Sequence, residues 1–174
     1  MGVWALERTI DSRIPVAQYV GRGTAEFTSS ALSDEGGEDG ERVVYRETLE
    51  LRMEEGPVVA PEARQEYVYA LEEEGRVLTK YFSDGRVFYK LEFDTADTSG
   101  DNGGEMGDVS VVAGGKHLCV NDWYESSYEF VGDSEIRQTY CVTGPEKDYT
   151  ITTILRKQPS SPPSSSSTPP PSAL

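Results

Sequence analysis

The chain is poor in the residues from which most sites are read. Its 174 residues include one histidine and two cysteines, and 16 Lys and Arg stand against 31 Asp and Glu, a net charge of −15. So acidic a balance lacks the basic footprint of a nucleic-acid binder, and it disfavours anionic membrane surfaces for the same electrostatic reason. Two cysteines make no disulfide framework. A Cys119–Cys141 bridge would need Cα atoms within about 7 Å of each other and is not expected. One histidine among scattered carboxylates makes no zinc site, so no metal is predicted. No apolar run approaches the length of a membrane span. The opening residues MGVWAL show no basic-then-apolar signal pattern and no Ser or Thr at position six for myristoylation. The expectation is a one-domain cytoplasmic protein with no nucleic-acid and no membrane partner; oligomeric state is not addressed.

What is present is alternation. Side chains in a strand point to opposite faces with a period of two, and that period recurs along the chain. Trp4, Leu6 and Ile10 alternate with Glu7 and Thr9, Arg8 standing as the exception on the apolar side, until Asp11 to Pro15 breaks the run with a turn or short helical piece. From Tyr19 to Thr28 one face carries Tyr19, Gly21, Gly23, Ala25 and Phe27, small residues that suit a bend or a close backbone approach. Residues 29–41 form an acidic, glycine-rich loop. Val43, Tyr45, Glu47, Leu49, Leu51 and Met53 give the cleanest alternation, and Ala63, Gln65, Tyr67, Tyr69 and Leu71 the next. Val77–Phe82 and Val87–Phe93 flank Ser83-Asp84-Gly85-Arg86, which predicts a two-residue hairpin with Phe82 facing Val87, Lys80 facing Tyr89 and Leu78 facing Leu91. Residues 94–115 read mostly as a mobile loop, with a short strand beginning near Val109. Strands follow at Ser134–Val142 and Tyr149–Arg156. The Ser/Pro-rich residues 158–174 are expected to be a disordered tail to a barrel or sandwich domain spanning 1–157.

The chemistry is concentrated between Lys116 and Asp148, which hold the single histidine and both cysteines. Asp122, Tyr124, Ser126, Tyr128 and Phe130 share one phase; His117, Cys119 and Asn121 share the other. A bulge near Asn121-Asp122 would bring both sets to one face, making His117, Asp122 and Tyr124 the candidate catalytic group. Buried polar groups must pair whether or not they act, so a satisfied internal network explains the same pattern. Glu47 and Lys80 each interrupt an apolar face, and because a charge on an inner face is costly unless paired, they are expected to compensate each other. With Tyr67, Tyr69, Tyr89, His117, Asp122, Tyr124 and Tyr128 they form the candidate ligand-binding set, and Tyr45 offers a further ring with a hydroxyl tip.

About nine or ten strands joined by turns mean an antiparallel sandwich or an up-and-down barrel. Gly2-x-Trp4 in the first strand and Arg156 in the last resemble the pair that closes calycin barrels, where the guanidinium lies on the indole ring. The blocks GVWALERTID, GRGTAEFT, YFSDGRVFYKLEF, HLCVNDWYESSYEF and VTGPEKDYTITTILR resemble the calycin-like domain-of-unknown-function family 6314 from Gly2 to Arg156. That resemblance implies an all-β, antiparallel, up-and-down calycin barrel, lipocalin- or fatty-acid-binding-like, of about 8–10 strands, and it implies no activity. Three function classes remain open. The leading one is binding of a small amphipathic or aromatic molecule inside the barrel. The second is an isomerase-, cyclase- or decarboxylase-type enzyme using His117, Asp122 and Tyr124 with Glu47 and Lys80. The third is an interaction protein using its acidic surface and its tail. No cofactor is predicted, and haem on His117 has only that one residue in its favour.

Overall fold

The structure is a computed structural model and describes residues 1–30, 42–94 and 110–159. Residues 31–41, 95–109 and 160–174 lie outside the described residues, and with them most of the two expected loops and the expected tail. Ten antiparallel strands form one closed barrel. They are β1 (Gly2–Ile14), β2 (Val16–Ser30), β3 (Arg42–Met53), β4 (Val58–Glu72), β5 (Val77–Phe82), β6 (Val87–Phe93), β7 (Ser110–Cys119), β8 (Asp122–Val131), β9 (Glu135–Thr143) and β10 (Asp148–Lys157). Among the described residues the sole helical element is a 3-10 turn at Glu73–Gly75. Each strand pairs with its neighbour in sequence, and β1 pairs with β10 to close the ring. Among the described residues every strand thus has a neighbour on each side, the β6–β7 seam being the shortest, with two paired positions.

Closure follows the expected strands but not the expected side-chain pair. Trp4 is opposite Lys157, and Ala5 is opposite Arg156. One residue of offset puts the two side chains on opposite faces. Trp4 turns inward against Phe27, ring centroids 5.6 Å apart, with Lys157 Nζ 6.0 Å from the indole. Arg156 turns outward and binds Glu7 and Glu135, each at 2.9 Å. β1 also continues past Asp11 to Ile14 and turns at Pro15 directly into β2, with no helical piece.

Two further departures shape the interior. The β5–β6 hairpin is not a two-residue turn. Gly85 N–H donates to the Phe82 carbonyl at 2.9 Å, Phe82 N–H donates to the Arg86 carbonyl at 2.9 Å, and Gly85 alone of the loop has positive φ, +85°. This is a longer loop with a glycine in the left-handed region, followed by a register shift. Lys80 faces Tyr89 and Leu78 faces Leu91 as expected, but Tyr81, not Phe82, faces Val87. Phe88 is the extra residue of the resulting bulge. A bulge re-aims the side chain it carries, and both Phe88 and Tyr89 point into the barrel.

The other departure lies at Val120-Asn121, where the chain makes a turn between β7 and β8 rather than a bulge within one strand. His117 faces Tyr124 and Cys119 faces Asp122 across that hairpin. Directly opposed residues share a face, so the two phases do come together, by reversal of the chain instead of insertion of a residue. β7 begins at Ser110, beside the strand start expected near Val109, and runs unbroken to Cys119.

The core runs around the inner wall through Trp4, Leu6, Ala25, Tyr45, Leu49, Tyr69, Tyr89, Leu91, Ala113, Tyr128 and Leu155. At Gly21 and Gly23 the inner face of β2 is bare. A Cβ on Gly23 would lie 2.6 Å from Leu49 Cα and collide with the Thr48 carbonyl, while one on Gly21 would meet the Leu49 side chain. Gly23→Ala is therefore expected to destabilise the fold by roughly 1–3 kcal/mol, because the obstruction is backbone that cannot rotate away. A urea midpoint unchanged from wild type would show that β2 and β3 have room to separate.

Candidate functional site

The gap on β2 lets two charges meet across it. Arg8 on β1 reaches over Gly21 and Gly23 to Glu47 on β3, with Nη1 to Oε1 at 2.7 Å and Nη2 to Oε2 at 2.8 Å. Its Nε donates to Thr153 Oγ1 at 2.8 Å, and the Tyr45 hydroxyl donates to Glu47 Oε2. Two parallel N–H···O bonds are the strongest form of such a pair. Burial opposes the charge on Arg8, but the bond and the field of Glu47 more than offset it and leave its pKa raised. The Tyr45 phenol is pushed up by burial and by Glu47, so it stays protonated and donates.

Lys80 on β5 is equally buried, Glu47 being 4% and Lys80 7% exposed, but the two are not partners. Arg8 occupies both oxygens of Glu47, and Lys80 has no carboxylate within salt-bridge range among the described residues. Its Nζ lies 3.7 Å from the centre of the Tyr67 ring and 5.3–5.4 Å from those of Tyr69, Phe88 and Tyr89. Its polar neighbour is the Tyr128 hydroxyl at 3.5 Å. That hydroxyl continues to Tyr69 at 2.9 Å and Tyr89 at 2.6 Å. Burial raises the pKa of all three phenols well above the ordinary value, so the chain is a set of protonated hydroxyls. Burial lowers Lys80 to about 7, against the upward pull of Glu47.

These groups line a cavity of about 240 Å³ bounded by Arg8, Glu47, Tyr67, Lys80, Tyr89 and Tyr128, with Phe88, Gln65, Gln138, Tyr140 and Thr153 also on its wall. Arg8, Phe88, Gln65, Gln138 and Tyr140 were not among the expected site residues. Arg8 had a signal, as the charge on the apolar side of the first strand. Gln138 and Tyr140 carried one too, in the alternation of β9. Phe88 had none, since its inward position exists only through the bulge.

His117, Asp122 and Tyr124 do not line this cavity. They sit on its side of the sheet but nearer the hairpin tip. The imidazole stacks on Tyr124 at 5.0 Å and 7°, and Tyr124 meets Tyr140 at 5.9 Å. Asp122 does not hold the histidine. Its carboxylate takes Lys147 Nζ at 3.1 Å, and the same ammonium donates to the Tyr124 hydroxyl at 3.3 Å. Those two bonds raise the Lys147 pKa. A Cβ on Gly144 would collide with the Asp122 carboxylate, so the turn before β10 needs glycine to seat it. Of the expected catalytic group, Asp122 and Tyr124 are thus joined through Lys147, and among the described residues His117 meets them only by stacking on Tyr124. His117 also borders a second cleft of about 560 Å³, with Val87 to Lys90, Glu92 and Gly114 to Lys116, where β6 and β7 pair only through Glu92–Gly114 and Phe93–Ala113. Both cysteines are free. Cys119 shares the inner phase with Asp122, and Cys141 faces outward beside Thr150, 3.7 Å away. Among the described residues no group of His, Cys, Asp and Glu is placed to hold a metal ion, and no helix is long and apolar enough to cross a membrane.

Comparisons with known proteins agree with this architecture. The model of a family described as "Family of unknown function (DUF6314)" matches residues 1–157. No curated protein matches. Among solved structures, the S-type phycobiliprotein lyase CPES from Guillardia theta is similar, with a TM-score of 0.61 at 11% identity, covering 92% of this chain and 89% of that one. At that identity the likeness shows a common lipocalin-like barrel and nothing about the site.

The interior makes two predictions. Arg8→Met alone leaves a buried carboxylate and should cost about 3–5 kcal/mol; the double change Arg8→Met, Glu47→Gln should recover much of it. Additive losses in a double-mutant cycle would show that the pair is not coupled. Lys80→Met removes a base whose folded pKa lies below its unfolded value of about 10.5. Between those two values the unfolded chain binds the extra proton, so wild-type stability rises with pH from about 7 to about 10. The variant should therefore be more stable than wild type at pH 7, and the advantage should shrink as pH approaches 10. Parallel pH profiles for the two proteins would place Lys80 in water.

Proposed function

The chain belongs to the DUF6314 family, whose description carries no activity, and we propose from the site itself that it binds a small aromatic, oxygen-bearing molecule inside the barrel. The observation that carries this reading is the cavity at Lys80: about 240 Å³ of space walled by tyrosine and phenylalanine rings, with a row of phenolic hydroxyls and an amine that no carboxylate holds. A stabilised core would place neither an amine without a counter-ion nor empty volume at its centre, since each costs stability. Ligand pockets are mostly apolar with a few placed polar groups, and this one follows that plan. Pockets for drug-sized molecules run from about 300 to 1,000 Å³, so the occupant here is smaller, a molecule of one or two rings. The ring faces suit its aromatic body, and the hydroxyls of Tyr89 and Tyr128 on the cavity wall suit an oxygen at its polar end. The solved neighbour shares the barrel and is named for work on phycobiliproteins; this chain's ligand is argued from its own wall.

Native mass spectrometry of protein purified from its own source, followed by titration with one- and two-ring phenols, tests this. One molecule should be retained per chain, and Gln138→Phe, which fills the cavity, should reduce affinity at least about tenfold, a loss of ~1.4 kcal/mol, while the barrel stays folded. Equal binding by the variant would move the ligand elsewhere, and no binding by wild type would remove the reading.

A further inference from the structure

We infer that Lys80 is a carbonyl-capturing amine, and that the ligand class it takes is an aromatic aldehyde or ketone held as an imine in the barrel cavity. This inference rests on the reading that the cavity binds a small aromatic molecule, and it names the reactive group of that molecule.

The geometry separates Lys80 from every other lysine of the chain. Lys90 is bound by Glu72 at 3.0 Å, Lys116 by Glu125 at 3.7 Å and Lys147 by Asp122 at 3.1 Å, all on the exposed surface. Lys157 lies at the exposed end of β10. A carboxylate neighbour and water both hold an amine in its ammonium form, which has no lone pair to offer. Lys80 has neither. It points into the cavity, is enclosed by four aromatic rings, and contacts a neutral hydroxyl. Burial lowers its pKa to about 7, so a large fraction is free amine at neutral pH. The nearest carboxylate on the cavity wall, Glu47, is occupied by Arg8, which keeps it from serving as the missing counter-ion.

The remaining parts of an imine-forming site are in place. The Lys80 nitrogen attacks the carbonyl carbon and the C–N bond forms. The C=O π pair moves to oxygen, which takes a proton from Tyr128, and the nitrogen returns one to the hydroxyl chain of Tyr128, Tyr69 and Tyr89. The nitrogen lone pair then forms the C=N bond as the hydroxyl leaves with the second amine proton. One amine and one carbonyl give one imine and one water. The stacked pair Tyr67–Phe88, centroids 5.7 Å apart, and the Lys80–Tyr67 contact leave the aromatic part of such a ligand lying along ring faces.

The test uses the full chain with 6-hydroxy-2-naphthaldehyde, and with 6-hydroxy-2-naphthalenemethanol as the control that lacks a carbonyl. Each is incubated at pH 7 with cyanoborohydride, and the protein is digested and mapped by mass spectrometry, while calorimetry reports binding of the alcohol. The expected result is one reduced adduct on Lys80, at least about tenfold over any other lysine, absent from Lys80→Met. Adduct yield should fall as pH drops below about 7. If the alcohol binds but the aldehyde marks no lysine, or marks the surface lysines equally, the imine inference is overturned and ligand binding stands. If neither compound binds and Lys80 is unmarked, both fall. Peptide mapping of the wild-type chain decides the question even if the variant fails to fold.

Discussion

A guanidinium and a carboxylate inside a barrel must find each other, and the way they do so here determines the rest of the interior. Arg8 and Glu47 stand on strands separated by β2, Arg8 opposite Gly21 and Glu47 opposite Ala25, so larger side chains on this part of β2 would stand between them. Gly21 and Gly23 remove those side chains and bring the β2 backbone against Leu49. The pair then closes bidentately across bare backbone, with Tyr45 and Thr153 satisfying what is left of the two groups. Once that pair is made, the carboxylate is spent. The third buried charged residue, Lys80, has to exist without one, and its neighbours are rings and hydroxyls instead of anions. The cavity's chemistry thus follows from two glycines on a strand that contributes nothing polar itself.

The alternation of inner and outer residues was legible almost throughout, because a closed sheet buries one face of every strand and leaves the other in water. That constraint gives strands, their order and most inward residues, including Glu47, Lys80 and the tyrosines. It does not give what depends on one residue of offset. Arg156 was placed on Trp4 because both lie at the closing seam; the actual register sets Arg156 beside Ala5 and sends it outward to Glu7 and Glu135. The partner of Glu47 was misassigned for a related reason. Arg8 stands in plain view as a charge in an apolar phase, but which cation reaches Glu47 depends on what stands between them, and only the register shows β2 setting Gly21 opposite Arg8 and Ala25 opposite Glu47.

Local turns account for the other differences, and they matter more than their size suggests. His117 and Tyr124 do share a face, but through a hairpin at Val120-Asn121 that sets them as cross-strand neighbours and leaves Asp122 to Lys147. A group read as a catalytic core becomes a rim, stacked at His117 and bridged by Lys147. At the opposite hairpin, one additional residue in the loop creates the bulge at Phe88 and turns a ring inward that alternation would have put in solvent. Period two is a property of regular strand, and both sites where it fails are where the ladder is interrupted.

The polar groups of this interior divide by whether their demands are already met. The carboxylates near the rim have lysine partners, Glu47 has Arg8, and the phenols Tyr69, Tyr89 and Tyr128 bond among themselves. Among the described residues the Trp4 indole Nε1 has no hydrogen-bond partner, while Lys80 has the Tyr128 hydroxyl but no carboxylate in salt-bridge range. Its amine is held between ring faces, and as a free base it can donate one hydrogen bond to Tyr128 or accept one from it, with a lone pair or further donors directed at empty volume. A buried amine in a shaped, ring-walled space is more restrictive than a site defined by many exposed groups. The proposed function accordingly rests on the β5 wall, where burial lowers the Lys80 pKa to about 7, and not on the histidine that first draws attention.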